Sequence, residues 1–237
     1  IISSNTSTIP LSILTQEMSD SMKADFCITH FFNPVRFMRL LEIVETPTMN
    51  KDKMGGLRDF CKNELGKGIV NCNDTPGFIG NRIGVYAMQV AMYEALERGL
   101  PVEIADALFG RPLGIPKTGV FGLYDLIGID LMKDVLASFK KELQENDPFM
   151  DVVKPHPLVE QLLEKGFNGN KGPGGFYQTT IVEGDEHVKA MNTSDMSYYD
   201  FDKVDLEIAR RVEKEGIKAL LDDDSDYGRY AFAVLAK

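Results

Sequence analysis

The stretch from Phe78 to Glu97 limits the fold more than any other. Apart from Asn81, Arg82, Gln89, Tyr93 and Glu94, nearly every position that is not glycine is apolar. A helix here has no broad polar face to offer water, so other elements must wrap most of it. That places it at the centre of a helical domain. Its start is expected at Asp74-Thr75-Pro76-Gly77, because Thr75 can accept from the first unpaired N–H groups and Pro76 suits the first helical position. A domain boundary is predicted at the same place.

Upstream, Phe26 to Phe32, Leu40 to Glu45 and Gly68 to Cys72 read as strands, and Met54, Leu57, Phe60, Cys61 and Leu65 fall at helical spacing within Asn50 to Leu65. The pattern is β-β-α-β. Ahead of it, Ile1-Ile2 reads as the end of a hydrophobic strand running into a polar turn, and Thr8 to Met18 as a short helix. Downstream, helices are expected at Val102 to Leu108, Phe121 to Ile127, Leu131 to Leu143 and Pro157 to Lys165. A glycine-rich run from Gly166 to Tyr177 closes that unit. Thr179 to Ser197 is polar and irregular and reads as a linker or exposed loop. Val204 to Leu221 and Tyr227 to Ala236 then read as the opening helices of a second helical unit. The expected organisation is α/β followed by all-α, with domains at 1–74 and 75–178 and a linker with the start of a second repeat at 179–237. With no Met at position 1 and no C-cap glycine at the other end, the chain reads as excised from something longer.

A composition of 43% hydrophobic and 26% charged residues is ordinary globular material. The net charge of −10 argues against a nucleic-acid or anionic-membrane surface. No apolar run reaches the roughly 20 residues that cross a bilayer, and Ile1-Ile2-Ser3-Ser4-Asn5 lacks the basic flank of a signal peptide. A cytoplasmic protein is expected. Cys27, Cys61 and Cys72 form no metal spacing and fit reduced, packed thiols.

Chemistry gathers around His30-Phe31-Phe32-Asn33-Pro34 and, twelve residues after the histidine, Glu42 inside Leu40-Leu41-Glu42-Ile43-Val44. A carboxylate in an apolar strand needs a partner, since an unpaired buried charge is costly. His30 is a candidate, and the two would form a general acid/base pair or a purely structural one; Arg36 and Arg39 are nearer in sequence and could pair with Glu42 instead. Asn81 carries a side-chain amide on an apolar helix and must find hydrogen-bond partners, either in a site or in a neighbouring helix. Asn33 before Pro34 reads as a turn residue. Ser3 to Ser7 is a polar loop after a strand, where α/β folds bind ligands. The Gly166 to Gly175 cluster is not a dinucleotide fingerprint, because it follows a helix and contains no GxGxxG. His156 and His187 receive no role.

These motifs resemble one family, the L-3-hydroxyacyl-CoA dehydrogenases of fatty-acid β-oxidation. The resemblance runs through Ser4 to Ser7, His30 to Pro34, Glu42 to Val44, Lys67 to Cys72, Asp74 to Ile79 with Asn81-Arg82, and Gly166 to Tyr177. Gly110 to Lys117 and the continuation past Tyr177 look more like the multidomain bacterial form, fused to an enoyl-CoA hydratase region. The resemblance implies a C-terminal remnant of a Rossmann-type sheet, starting at its last parallel strand, followed by helical domains like that of 6-phosphogluconate dehydrogenase. It implies NAD-dependent oxidation of an acyl-CoA substrate, a 3-hydroxyacyl thioester, to the 3-ketoacyl thioester. His30 would be the base, Glu42 its support, and Asn81 a group positioning histidine and substrate. Ser7 would bind substrate oxygen beside the cofactor, with Asn33 and Lys171 as cofactor contacts and no metal. Thiolase and a second copy of the chain are the implied partners. The family's glycine-rich loop and ribose-binding acid have no counterpart here, so weak NAD binding and an isolated chain with little activity are expected. The competing expectation is a non-catalytic helical binding or assembly module with a vestigial dyad, in which His30 and Glu42 would point into separate packing environments. Hydroxyacid dehydrogenases that use a lysine base are disfavoured by His30.

Overall fold

The computed structural model describes residues 1–237 except 114, 116, 155, 203 and 205 and the side chain of residue 213. Two positions of the Gly110–Lys117 motif, Gly114 and Pro116, therefore lie outside the described residues, as does Asp205 in the expected Val204–Leu221 helix. The chain divides into two compact units, residues 1–85 with 141–145, and residues 86–140 with 146–237.

In the first unit, β1 (Ile2–Ser4), β2 (Phe26–Phe31), β3 (Leu40–Val44) and β4 (Gly68–Asn71) form one sheet in the order β1-β2-β3-β4. β1 and β2 are parallel, β2 and β3 antiparallel, β3 and β4 parallel. The direction therefore reverses at β3, and the chain does not begin at the last parallel strand: β2 still follows β1 in the same sense. The two central strands are buried on both faces, and their period of two separates those faces. Cys27, Leu41 and Ile43 pack with Met54 and Cys61 of α3 (Lys51–Asn63). Phe26, Ile28 and Val44 pack on the other face with Leu11 and Phe78. By alternation, His30 and Glu42 belong to this second face.

The Thr8–Met18 helix is shorter than expected. Only Leu11–Leu14 (α1) is helical, a second short helix α2 spans Asp20–Lys23, and the Asp74 carboxylate caps α1 from afar through Leu11 N and Ser12 N. The apolar helix α4 (Gly80–Glu97) starts five residues beyond Thr75. Gly77 and Phe78 have φ of 73° and 48°, which no right-handed helix accommodates, so Thr75 does not cap it. Its later half is buried, including Met88 and Val90 to Met92, whereas Ile83 is exposed.

The second unit continues with α5 (Val102–Leu108), α6 (Phe121–Ile127), α7 (Ile129–Glu142) and α8 (Pro157–Glu164), near the expected positions. Two buried carboxylates organise it. Asp106 accepts from Phe121 N, Gly122 N and the Tyr177 hydroxyl, and Asp125 from Phe176 N and Tyr177 N. Burial outweighs those bonds, raising Asp106 to about 7 and Asp125 to about 6. The glycine-rich run folds tightly around Asp125: a Cβ at Gly175 would lie 2.0 Å from Asp125 Oδ1.

Thr179–Ser197 is not a loop. β5 (Tyr177–Val182), β6 (Asp185–Met191) and β7 (Tyr198–Asp200) form an antiparallel sheet. Val182 pairs with Asp185 across Glu183-Gly184, both at positive φ, the geometry of a two-residue hairpin turn. Most of β5 and the first half of β6 is exposed, so apolar alternation is missing from the sequence. The expected Val204–Leu221 helix is two, α9 (Glu207–Glu215) and α10 (Lys218–Leu221), broken at Gly216 with φ of 76°; α11 (Asp226–Ala236) follows.

Candidate active site

His30 and Glu42 are directly opposed residues of the antiparallel β2–β3 pair, so the twelve-residue spacing brings them together without any distortion of the sheet. His30 Nδ1 and Glu42 Oε2 are 2.6 Å apart, with 6% and 0% of these residues exposed. Rings of Phe32 and Phe78 flank the imidazole, with centroids 4.4 and 5.8 Å away. Neither Arg36 nor Arg39 is the partner of Glu42.

The second oxygen of Glu42 performs a different task. Oε1 accepts from Ile79 N at 3.0 Å and Gly80 N at 2.7 Å, the unpaired N–H groups where α4 begins. Cys72 Sγ lies 3.6 Å from the same oxygen. Burial pushes the Glu42 carboxyl up, but the bonds from His30, Gly80 and Ile79 together outweigh it and leave the group below the usual carboxylate range. An ionised Glu42 accepts only, which makes His30 Nδ1 the donor. The other nitrogen, Nε2, then carries a lone pair and can take a proton.

β1 and the polar loop after it are stitched to β2. Thr29 Oγ1 donates to Ser3 Oγ, and Phe31 N donates to Asn5 Oδ1 at 2.9 Å. Because β1 and β2 are parallel, this loop and His30 lie at the same, carboxyl, end of the two strands. Asn81 on the first turn of α4 donates to the carbonyl oxygen of Ser7 at 3.5 Å, so it meets the loop through its backbone. Asn33 is exposed, with a cis peptide to Pro34. Ser7, His30, Asn33, Glu42 and Asn81 thus belong to the first unit. Lys171 belongs to the second, where it is exposed and its ammonium lies over Gly128 beside Asp130.

Sequence reasoning missed the backbone donors of Ile79 and Gly80. A buried carboxylate followed by a helix start is the signal that could have found them, since helix N-termini bind anions. Asp106 and Asp125 were missed as well, and their partners lie 15 to 71 residues away.

A Rossmann-type sheet with a buried histidine–carboxylate pair at a strand's carboxyl end, followed by a helical unit, defines a two-part α/β-plus-helical protein. The chain belongs to the 3-hydroxyacyl-CoA dehydrogenase family: residues 1–75 match its NAD binding domain and residues 77–179 its C-terminal domain. A Rickettsia felis protein named as a candidate trifunctional enzyme of the fatty acid oxidation complex is 39% identical over 97% of this chain and 31% of its own length. The rat mitochondrial hydroxyacyl-coenzyme A dehydrogenase is 35% identical over 75% of this chain, which spans 54% of it. The crystal structure of M. tuberculosis FadB2 superposes with a TM-score of 0.65 at 29% identity, covering 76% of this chain and 60% of that one. Among the described residues no helix is long and apolar enough to cross a membrane.

Proposed function

We propose that this chain supplies the acid/base half of an NAD-dependent dehydrogenase acting on (S)-3-hydroxyacyl-CoA thioesters and yielding the 3-ketoacyl thioester. The observation that carries the proposal is the 2.6 Å contact between buried His30 and Glu42 at the carboxyl end of β2. His30 Nε2 takes the hydroxyl proton, and the adjacent carboxylate stabilises the imidazolium that results. NAD, when bound, accepts the hydride leaving the same carbon. Ser7 holds the substrate oxygen, Asn81 fixes the Ser7 loop and helps position histidine and substrate, Asn33 contacts the cofactor, and Lys171 reaches it from the helical unit. The polar loop and His30 fit the redox end of NAD. Nothing in the 237 residues offers the GxGxxG turn that cradles its diphosphate.

His30 and Glu42 share one environment, which supports this reading over a binding module with a vestigial dyad. A multifunctional parent is supported by the trifunctional name of the Rickettsia felis relative, and we propose a hydratase region in the same polypeptide and thiolase as partner.

The test joins these residues to a dinucleotide-binding half and follows NADH formation from 3-hydroxybutyryl-CoA. The joined protein should turn over, His30→Gln should lower kcat by about 10²–10⁴-fold, and the 237 residues alone should show only trace turnover. Full activity in the His30→Gln protein would sink the proposal.

A further inference from the structure

Arg39, Arg58, Lys62 and Lys67 line one open groove of about 760 Å³ beside β4, the edge strand of the sheet, with Asp59 as the one acid among its described lining residues. This is a local excess of cations on a chain with 36 acidic and 26 basic residues. Arg39 and Lys62 are exposed, and among the described residues neither has an ion-pair partner. Arg58 is held by Asn71 Oδ1 at 2.9 Å and lies 3.2 Å from Glu45.

Lys67 is the unusual member. It is 8% exposed, yet its ammonium meets only neutral groups: the carbonyls of Val35 at 2.5 Å and Met38 at 2.8 Å, and the face of Phe31 with its centroid 5.6 Å away. An ammonium has three N–H donors, and only two of them meet an oxygen here. Burying a cation without a carboxylate is costly, and among the described residues no carboxylate pairs with it. Its charge is met only by carbonyl dipoles and a ring face, and Arg39 and Lys62 add to the positive potential of the groove. Guanidinium forks with ammonium point charges are the chemistry that holds phosphate oxygens.

We propose that this groove binds a diphosphate-type anion, held by Lys67 and Arg39 on one side and by Lys62 and Arg58 of α3 on the other. The cations come from three separate segments of the chain, a spread that suits two linked phosphates. The site shares no residue with the dehydrogenase proposal and does not rest on it. Otherwise Lys67 serves only to cap the carbonyls of the turn before β3.

Calorimetric titration of this chain with inorganic pyrophosphate and, separately, with adenosine diphosphate tests it. Saturable one-to-one binding that weakens with salt is expected. Arg39→Ala with Lys62→Ala, both exposed positions, should weaken it at least about tenfold, with an unchanged circular dichroism spectrum. Asp59→Asn should strengthen it, and His30→Gln should leave it unaltered. Tighter binding of the nucleotide would assign the site to a nucleotide, and equal or tighter binding of pyrophosphate to the inorganic anion. Absence of saturable binding by either probe, or equal binding by the double variant, overturns the proposal. So does binding of a glutamate-rich peptide where pyrophosphate fails, which would make the groove a protein-docking edge.

Discussion

Replacing Glu42 by Gln separates the two tasks of this side chain. The amide oxygen can keep the bonds from Ile79 N and Gly80 N, now at 3.0 and 2.7 Å, but the NH₂ then faces His30 Nδ1. Two donors cannot share a 2.6 Å contact, so His30 must move its proton to Nε2 and accept at Nδ1. Nε2, the nitrogen proposed to take the substrate proton, becomes protonated at rest. A hydrogen bond to a charged group contributes about 1.5–3 kcal/mol, and the lower desolvation cost of an amide offsets part of its loss. A net destabilisation of about 2 kcal/mol follows, and at about 1.4 kcal/mol per decade it corresponds to roughly thirtyfold. Two measurements on this chain read it. Long-range ¹H–¹⁵N spectra of its three histidines should show His30 change from the Nδ1–H to the Nε2–H tautomer. Amide exchange at Gly80 should accelerate about thirtyfold. Retention of the Nδ1–H tautomer would refute the assignment of Glu42 as the acceptor for the imidazole.

The second unit should be more stable at pH 5 than at pH 8. The folded pKa values of Asp106 and Asp125, about 7 and about 6, lie above the ordinary 3.8, so the stabilisation they give is full below that value and is lost as pH rises through 6 and 7. The loss should approach about 4 kcal/mol in urea titrations followed by near-ultraviolet circular dichroism, and Asp106→Asn should remove the larger part. Glu42 acts oppositely in the first unit: its contribution is present above 4.5 and declines as pH falls through its lowered folded value. Gly175→Ala should cost about 3 kcal/mol or more, because its Cβ would sit 2.0 Å from Asp125 Oδ1; a melting temperature within a degree or two of the parent would contradict this. Glu183→Asn should stabilise the β5–β6 turn by about 0.5–1 kcal/mol, as asparagine tolerates the φ of 55° found there, and thermal melting would register it.

The residues that were legible in the sequence are those whose surroundings are local or strictly periodic. β2 and β3 are buried on both faces, so their apolar runs stand out, and the alternation that places Ile28 and Val44 on one face carries His30 and Glu42 with it. The start of α4 was misread because Thr75-Pro76 is a strong local signal, overruled by positive φ at Gly77 and Phe78. What replaces the expected threonine cap is a carboxylate 37 residues upstream of Ile79, and no local pattern encodes such a distance. The β5–β6 hairpin escaped because Thr180, Ile181 and Val182 are all exposed. With no buried face to enforce a period of two, only the Glu-Gly turn marks it.

The bonds from Ile79 and Gly80 to Glu42 give the imidazole a dependence on folding order. Until α4 has formed its first turn against β3, the carboxylate lacks two of the three donors that keep it ionised in an apolar setting, and it has little reason to face His30. The alignment of the carboxylate with the imidazole is therefore missing from partly folded chains and arrives together with the helix. An incomplete molecule would carry both residues of the pair without their fixed geometry.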